Sequence, residues 1–597
     1  MAHRALLALR SSTLRVTGAA ISAALVASFA APRHHVFAAA EVEPAASAAT
    51  HSAGPSILMS ALDAELKRAM SSLGKGDDKE PKPYFLSYAV SDGIAASISA
   101  QYGAITSSNV VHRRMVDVQV RLGSPGEDNT HGDHRNSALT TMPLPLTDDS
   151  EAITRSLWYA TNRGYAKALD GYLKVKTEQQ VRAKEEDTSA DFSTEKPVDS
   201  KTLPGPALTL DRAPWEQRVR EVSAVFSKYP DVFADMVQFQ VTDETDYLVS
   251  SEGTHTSNPG HVARLVVMAR TRAADGMDLF RAETFEADSP AHLPDQKAVL
   301  EKTTEMAKSL EALREAPVTQ PFNGPAILSG RAAAVFFHEV LGHRLEGQRQ
   351  RGDEEGQTFT KLIGKQILPT FLSVADDPTM AALNGHALSG HYNYDDEGEP
   401  AHRVDLIKDG VLETFLMSRL PIASVQQSNG HGRAEVGHMP TGRQGNLIVT
   451  SSKTVPESEL RKMLIEEAKR QGKPYGLYFE DISSGFAVTT RRSPQAFQVI
   501  PLVVYRVYVD GRPDELVRGV SIVGTPQAAL NSILATGNKQ DIFNGVCGAE
   551  SGSVPVSAVA PAMLVSQIET QRQAQGNARP PILPPPSVEA GAEKGAK

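Results

Sequence analysis

The sequence predicts an α+β protein: an N-terminal α+β domain over 56–317, followed by a sheet-rich C-terminal domain over 318–569. Three observations carry this expectation. Apolar residues recur at helical spacing in several separate windows, as in Val299, Met306, Leu310 and Leu313. Between those windows lie alternating runs such as Val116-Asp-Val-Gln-Val-Arg-Leu122, which have the period of a half-buried strand. Beyond Pro317 strand-like runs and Gly-rich loops dominate. A chain of 597 residues can bury the cores of two or more domains. Hydrophobic residues at 41% and charged residues at 22% describe an ordinary soluble globular protein. The formal charge of −10, with no dense Lys/Arg stripe, argues against a nucleic-acid partner.

The first forty residues contain no acid. Arg4, Arg10 and Arg15 precede an apolar run from Val16 to Ala31, and Ala38-Ala39-Ala40 offers a small-residue cleavage site. This reads as a secretory signal peptide over 1–40, with an Arg-rich organelle transit peptide as the competing reading. Cleavage would remove four arginines, leave a charge of −14 and place the mature chain in the periplasm or outside the cell. A cytoplasmic location is the alternative. No later segment is apolar enough over a sufficient length to span a bilayer, so no membrane association is expected after processing. Residues 41–55 read as a disordered mature N-terminus, and the Pro/Ala/Gly-rich stretch 570–597 as a disordered tail.

Between these ends, Ile57 to Leu73 is a helix, Tyr84 to Leu122 is mostly strand, and Asp149 to Leu173 is a second helix. The charged and then Pro/Ser-rich segment from Lys176 to Pro206 reads as an exposed excursion. A helix begins near Asp211 and presents Trp215, Val219, Val222 and Phe226 on one face. Strands over Met236 to Val241, Thr245 to Ser251 and Val262 to Arg270 precede a helix from Asp295 to Arg314. In the second half, Asp395-Asp-Glu-Gly398 is a turn, and Ser428–Arg433 and Met439–Arg443 are Gly-rich loops. A Thr454/Glu457 capping box and Gly472 delimit a helix from about Pro456 to Gln471. Further strands run from Gln498 to Val509.

The chemistry concentrates in Gly330 to Gly347. Ser329 is a plausible N-cap, and Ala332, Val335 and Phe336 share one helical face. Into this apolar helix the sequence places His338, Glu339 and His343. Polar groups there are costly unless something satisfies them. A divalent metal would do so: neutral imidazole is a standard zinc ligand, and an adjacent carboxylate can activate a water. The histidines are five apart, not the usual four, and on an ideal helix would diverge by roughly 140°. Gly342 lets the last turn open and swing His343 back. A helix carrying two unrelated histidines is the bland alternative.

A catalytic zinc needs a third protein ligand. Glu346 lies only three residues past His343 and suits an orienting role better than ligation. Cys547, the single cysteine, is the better candidate, set in Gly545-Val-Cys-Gly548. With no second cysteine an intramolecular disulfide is impossible, and a lone cysteine is otherwise a small buried hydrophobe.

The stretch HEVLGHRLEG, then Asp395-Asp-Glu-Gly398, the Ser428–Arg443 loops, and Gly545-Val-Cys-Gly-Ala-Glu-Ser-Gly-Ser-Val-Pro-Val556 resemble the TldD/PmbA family of bacterial metallopeptidases. The likeness covers Leu58 to Ile568 in order and is specific from Pro325 onward. It implies that His338, His343 and Cys547 bind Zn2+ and that Glu339 is the general base. It also implies an active TldD-type subunit, hydrolysis of peptides or unfolded proteins, and a dimer. The partner is then either a second copy or a metal-free homologous subunit. His431, Arg433 and His438, in the Gly-rich loops, are candidates to support the oxyanion or the substrate backbone, or are ordinary solvated loop residues. The family's typical members are cytoplasmic, so the export signal departs from its pattern. A non-catalytic zinc-stabilised scaffold or partner subunit is the rival function.

Overall fold

The computed structural model describes residues 56–573, apart from 78, 180–187, 201–208, 353–354 and 492–495, together with 579–581 and 583. The expected signal peptide, residues 41–55 and most of the expected tail lie outside the described residues.

The N-terminal half forms helix α1 (Ile57–Ser72), strands β1 (Pro83–Gln101), β2 (Ala104–Ser124), β3 (Glu127–Asp128) and β4 (Leu139–Pro143), and helices α2 (Ser150–Gln179) and α3 (Arg212–Ala224). Strands β5 (Ala234–Ser250), β6 (His255–Arg272) and β7 (Asp278–Ala287) and helix α4 (Gln296–Glu315) complete it. Caps lie where short polar side chains fall. The Ser56 hydroxyl accepts the Met59 N–H, and Asp211 and Asp295 accept those of Ala213 and Ala298. β1 and β2 meet in a two-residue turn at Tyr102-Gly103, both with positive φ, which matches the right-handed strand twist.

These strands make a seven-stranded antiparallel sheet in the order β3-β2-β1-β5-β6-β7, with β4 on β2. Alternation along β1 decides which face is covered. Leu86, Tyr88 and Val90 pack under α1 and α2, and Ala96, Ile98 and Ala100 continue the same face under α3 and α4. The opposite face is polar and meets the second half of the chain. Asp117 accepts the Gly437 N–H at 2.8 Å, and the Ser389 hydroxyl donates to Glu286.

The second half builds a twelve-stranded sheet. Its longer strands are β8 (Asn323–Leu328), β9 (Leu372–Asp376), β10 (Val404–Lys408), β11 (Asn446–Ser451), β12 (Tyr475–Ala487), β13 (Phe497–Tyr508), β14 (Val520–Gly524), β15 (Ile533–Ala549) and β16 (Gly552–Arg572). The 21-residue β16 pairs with β11, β14, β15 and β8 along its length. Because β14, β13, β12 and β8 also pair in sequence, that part of the sheet closes on itself. Helix α5 (Gly330–Val340) follows β8 and buries Ala332, Val335, Phe336, Phe337 and Val340 in the largest apolar core, beside Met563, Phe479 and Phe497. No helix among the described residues is long and apolar enough to cross a membrane.

Several expectations are corrected. The stretch 188–200, expected as an exposed excursion, is anchored: Phe192 is buried, edge-on to Phe85, and lies between the guanidinium groups of Arg121 and Arg419 at 3.8 and 3.9 Å. Cationic planes stacking on an aromatic face retain a segment that composition alone marks as solvated. The two strands expected over 236–251 are the single β5, while β7 and β12 carry no clear alternation and were not anticipated. The capping box is absent. Thr454 pairs with Thr536 as a short parallel strand, and Pro456 caps helix α6 (Glu457–Arg470) without a side-chain bond. Gly472 does follow that helix with φ 65.

Candidate metal centre

Helix α5 begins at Ser329, whose hydroxyl accepts the Ala332 N–H at 3.1 Å. It ends at Val340. Leu341 leaves helical geometry (φ −113, ψ −54), and Gly342–Leu345 form a 3-10 turn. This change of chain direction at Leu341, and not continued helical winding, sets the His343 ring beside that of His338, with centroids 4.9 Å apart. Gly342 serves this differently from the expectation. Its φ is not positive; instead a Cβ would lie 2.0 Å from the Gln444 Oε1. Close approach, rather than left-handed backbone, requires glycine here.

Cys547 reaches the same point from the end of β15, paired with Val554 of β16 in regular register. Its Sγ lies 3.3 Å from His338 Nε2 and 3.4 Å from His343 Nε2. One ligand atom from each residue falls within 4.8 Å of the others, and among the described residues no other His/Cys/Asp/Glu group does this. All three are buried, at 6%, 8% and 7% exposure for His338, His343 and Cys547.

These residues fit zinc. Zn–S of about 2.3 Å and Zn–N of about 2.0–2.1 Å in a tetrahedron place sulfur and nitrogen roughly 3.5 Å apart, close to both observed separations. His343 Nδ1 lies 3.1 Å from Glu346 Oε1, a carboxylate partner of the kind that orients a ligating imidazole. His338 Nδ1 is buried with no partner, so whatever satisfies that ring must come at Nε2. Burial opposes the Cys547 thiolate, but the two imidazoles outweigh it and hold the thiol well below its ordinary pKa. Burial likewise opposes a charged His343, which the Cys547 sulfur and Glu346 draw well upward. Burial raises the Glu339 carboxyl despite the nearby imidazoles.

Glu339 stands apart from the three donors, with Oε2 3.9 Å from His343 Nε2. The Gly485 N–H donates to its carboxyl. Glu346 is fully buried and takes Arg349 Nε on its other oxygen at 2.8 Å. The loop candidates separate. His431 has no exposed surface, with Nδ1 2.9 Å from the Asn429 carbonyl and Nε2 3.3 Å from Asp376 Oδ1. Arg433 is buried over the Tyr392 ring and donates to the Gln444 and Pro555 carbonyls, each at 2.7 Å. His431 and Arg433 thus tie loops together, and only His438 of the three is exposed.

Two supporting residues had no sequence signal. The buried Arg344 donates to the Glu339 and Val340 carbonyls, which helix α5 leaves without intrahelical partners, and to those of Val488 and Ala496. Burial lowers its pKa to about 10. Gln444 Nε2 meets the His338 carbonyl at 3.5 Å.

Residues 322–572 match the family described as the PmbA/TldA metallopeptidase C-terminal domain. A protein named metalloprotease TldD homolog from Haemophilus influenzae is 28% identical over 249 residues, 41% of this chain and 47% of that protein. A zinc metalloprotease TldD homolog from Saccharolobus solfataricus is 25% identical over 250 residues, 41% of this chain and 51% of that one. The matched stretch therefore spans about half the length of these relatives. The crystal structure of TldE from Thermococcus kodakarensis shares the fold, with a TM-score of 0.56 at 13% identity over 86% of this chain and 100% of that one. Residues 322–572 thus resemble the C-terminal domain of the PmbA/TldA metallopeptidases, set in a fold shared with TldE.

Proposed function

We propose that the chain is a zinc-dependent metallopeptidase that hydrolyses peptide bonds of peptides or unfolded proteins. The observation that carries this reading is the set of three buried donors from two distant segments, with a fourth ionisable group, Glu339, beside them but outside the set. The names of the relatives support it. His338, His343 and Cys547 hold the zinc. When bound, zinc supplies polarisation of the scissile carbonyl and acidification of the attacking water. Glu339 accepts that water's proton and passes it to the leaving amine, so one carboxyl acts first as base and then as acid. Glu346 holds His343 in orientation through Nδ1. The working form is a dimer, of two copies or with a metal-free homologous subunit, and the mature chain is exported.

The test combines metal analysis with a panel of unstructured peptides. Near-stoichiometric zinc and new amino termini are expected, with cleavage stopping on chelation and returning with zinc. Full zinc occupancy without cleavage of any peptide would instead favour a zinc-stabilised scaffold or partner subunit.

Gly485 offers a second check. A Cβ there would lie 2.7 Å from Glu339 Cγ and 2.9 Å from the Gln498 carbonyl on the paired strand. Gly485→Ala should displace the carboxyl and lower kcat by about 10²-fold, since an error near 1 Å in a reacting group costs that much. Zinc content should not change. An alanine variant with parental kcat would show that Glu339 needs no such placement.

A further inference from the structure

Resting on the reading that the His338/His343/Cys547 set binds a metal, we propose that Arg443 is the positioning residue that fixes the Cys547 arm of the set against the His343 arm. Arg443 has no exposed surface and is among the largest fully buried side chains. Its Nη2 donates to the Cys547 carbonyl at 2.7 Å, and its Nη1 to Ser551 Oγ at 2.9 Å and the Gly552 carbonyl at 3.0 Å. These three acceptors lie on the β15–β16 hairpin tip. On its other edge, Nε faces Glu346 Oε1 at 3.6 Å, the same oxygen that meets His343 Nδ1. One planar guanidinium thus spans two segments about 200 residues apart in the chain.

The hairpin tip needs this restraint. Among buried apolar residues Cys547 clusters with Val554 and Val556 alone, apart from the main core, and neighbouring Val546 is 43% exposed. Apolar packing therefore does little to locate the sulfur. Arg443 itself is located from behind. Its N–H donates to the His431 carbonyl at 2.9 Å, and His431 is held by Asn429 and Asp376. The buried Nε has no acceptor within hydrogen-bonding distance, so its aim at Glu346 is set by the fork's engagement with the hairpin. A rigid fork of donors can serve several acceptors at fixed angles, which a lysine ammonium on a flexible stem cannot.

The test uses the full chain stripped of metal and titrated with Co2+, reading affinity by chelator competition and the sulfur-to-cobalt charge-transfer absorption. The parental protein should show that absorption. Arg443→Gln should bind Co2+ about 10- to 100-fold more weakly, the usual cost of losing a group that supports metal ligands. Its charge-transfer band should be weakened while far-UV circular dichroism is unchanged. Arg443→Lys should not restore the band, because it keeps the charge without the fork. Ser551→Ala, which removes one acceptor, should weaken both signals by less. If Arg443→Gln equals the parent in affinity and band, the proposal is overturned. If that variant does not fold, Ser551→Ala decides, and parental behaviour there overturns it equally. A parental protein with no charge-transfer band would overturn the metal-site reading itself, an outcome distinct from a normal parent with unaffected variants.

Discussion

Glu339→Gln is expected to leave zinc bound and to lower peptide hydrolysis by about 10²- to 10⁴-fold, the range that general acid–base catalysis supplies. The amide keeps the size of the carboxyl, and its oxygen can still accept the Gly485 N–H. What it loses is basicity. Glu339 is not among the three grouped donors, so zinc content should match the parent within error. The loss should fall on kcat with little change in KM, because proton transfer occurs only in the transition state. Parental activity in this variant would remove Glu339 from the mechanism. Zinc loss together with activity would show that it is a ligand.

Cys547→Ser is expected to weaken zinc binding severely, since a neutral hydroxyl is a far poorer ligand than a thiolate. Zinc sites in small domains bind with about 10–16 kcal/mol. A quarter share of that for one ligand is roughly 3 kcal/mol, or on the order of 10²-fold in affinity. The unsubstituted protein gives a complementary readout. Cys547 is buried at 7% exposure, and ligation engages its sulfur, so the zinc-loaded chain should resist thiol alkylation. Chelation should make the thiol reactive and the protein inactive together. In an oxidising compartment the same protection would matter, because with no second cysteine the expected lesions are a sulfenic acid or an intermolecular disulfide. Equal, fast labelling with and without chelator would remove Cys547 from the donor set.

Legibility in the sequence followed how local the determining interactions are. The helices at 57–72, 150–179 and 296–315 were readable because a 3.6-residue apolar period and a capping residue are both written within a few turns. Strand β5 was read as two pieces because its middle, Asp243 to Asp246, lies between its apolar halves and is half-exposed or polar. The Thr454/Glu457 capping pattern failed because Thr454 is committed to a parallel pairing with Thr536, about eighty residues away. Long-range backbone pairing outweighs a cap worth about 1 kcal/mol. Phe192 failed in the opposite direction, since its burial depends on Arg121 and Arg419, neither near it in sequence.

The candidate centre divides the same way. Sequence alone determined the chemistry available: two histidines and a glutamate in one short, largely apolar stretch, and a single cysteine, because residue type and spacing sit in one line of the chain. Tertiary structure decided the geometry. The 3-10 turn after Val340 joins His343 to His338, and the β15–β16 hairpin delivers Cys547 to within 3.4 Å of both. Arg344, Arg443, Gln444 and Gly485 acquire their roles only there. Each acts by filling space or donating hydrogen bonds to a segment remote in sequence, and such pairings leave no period or motif to read.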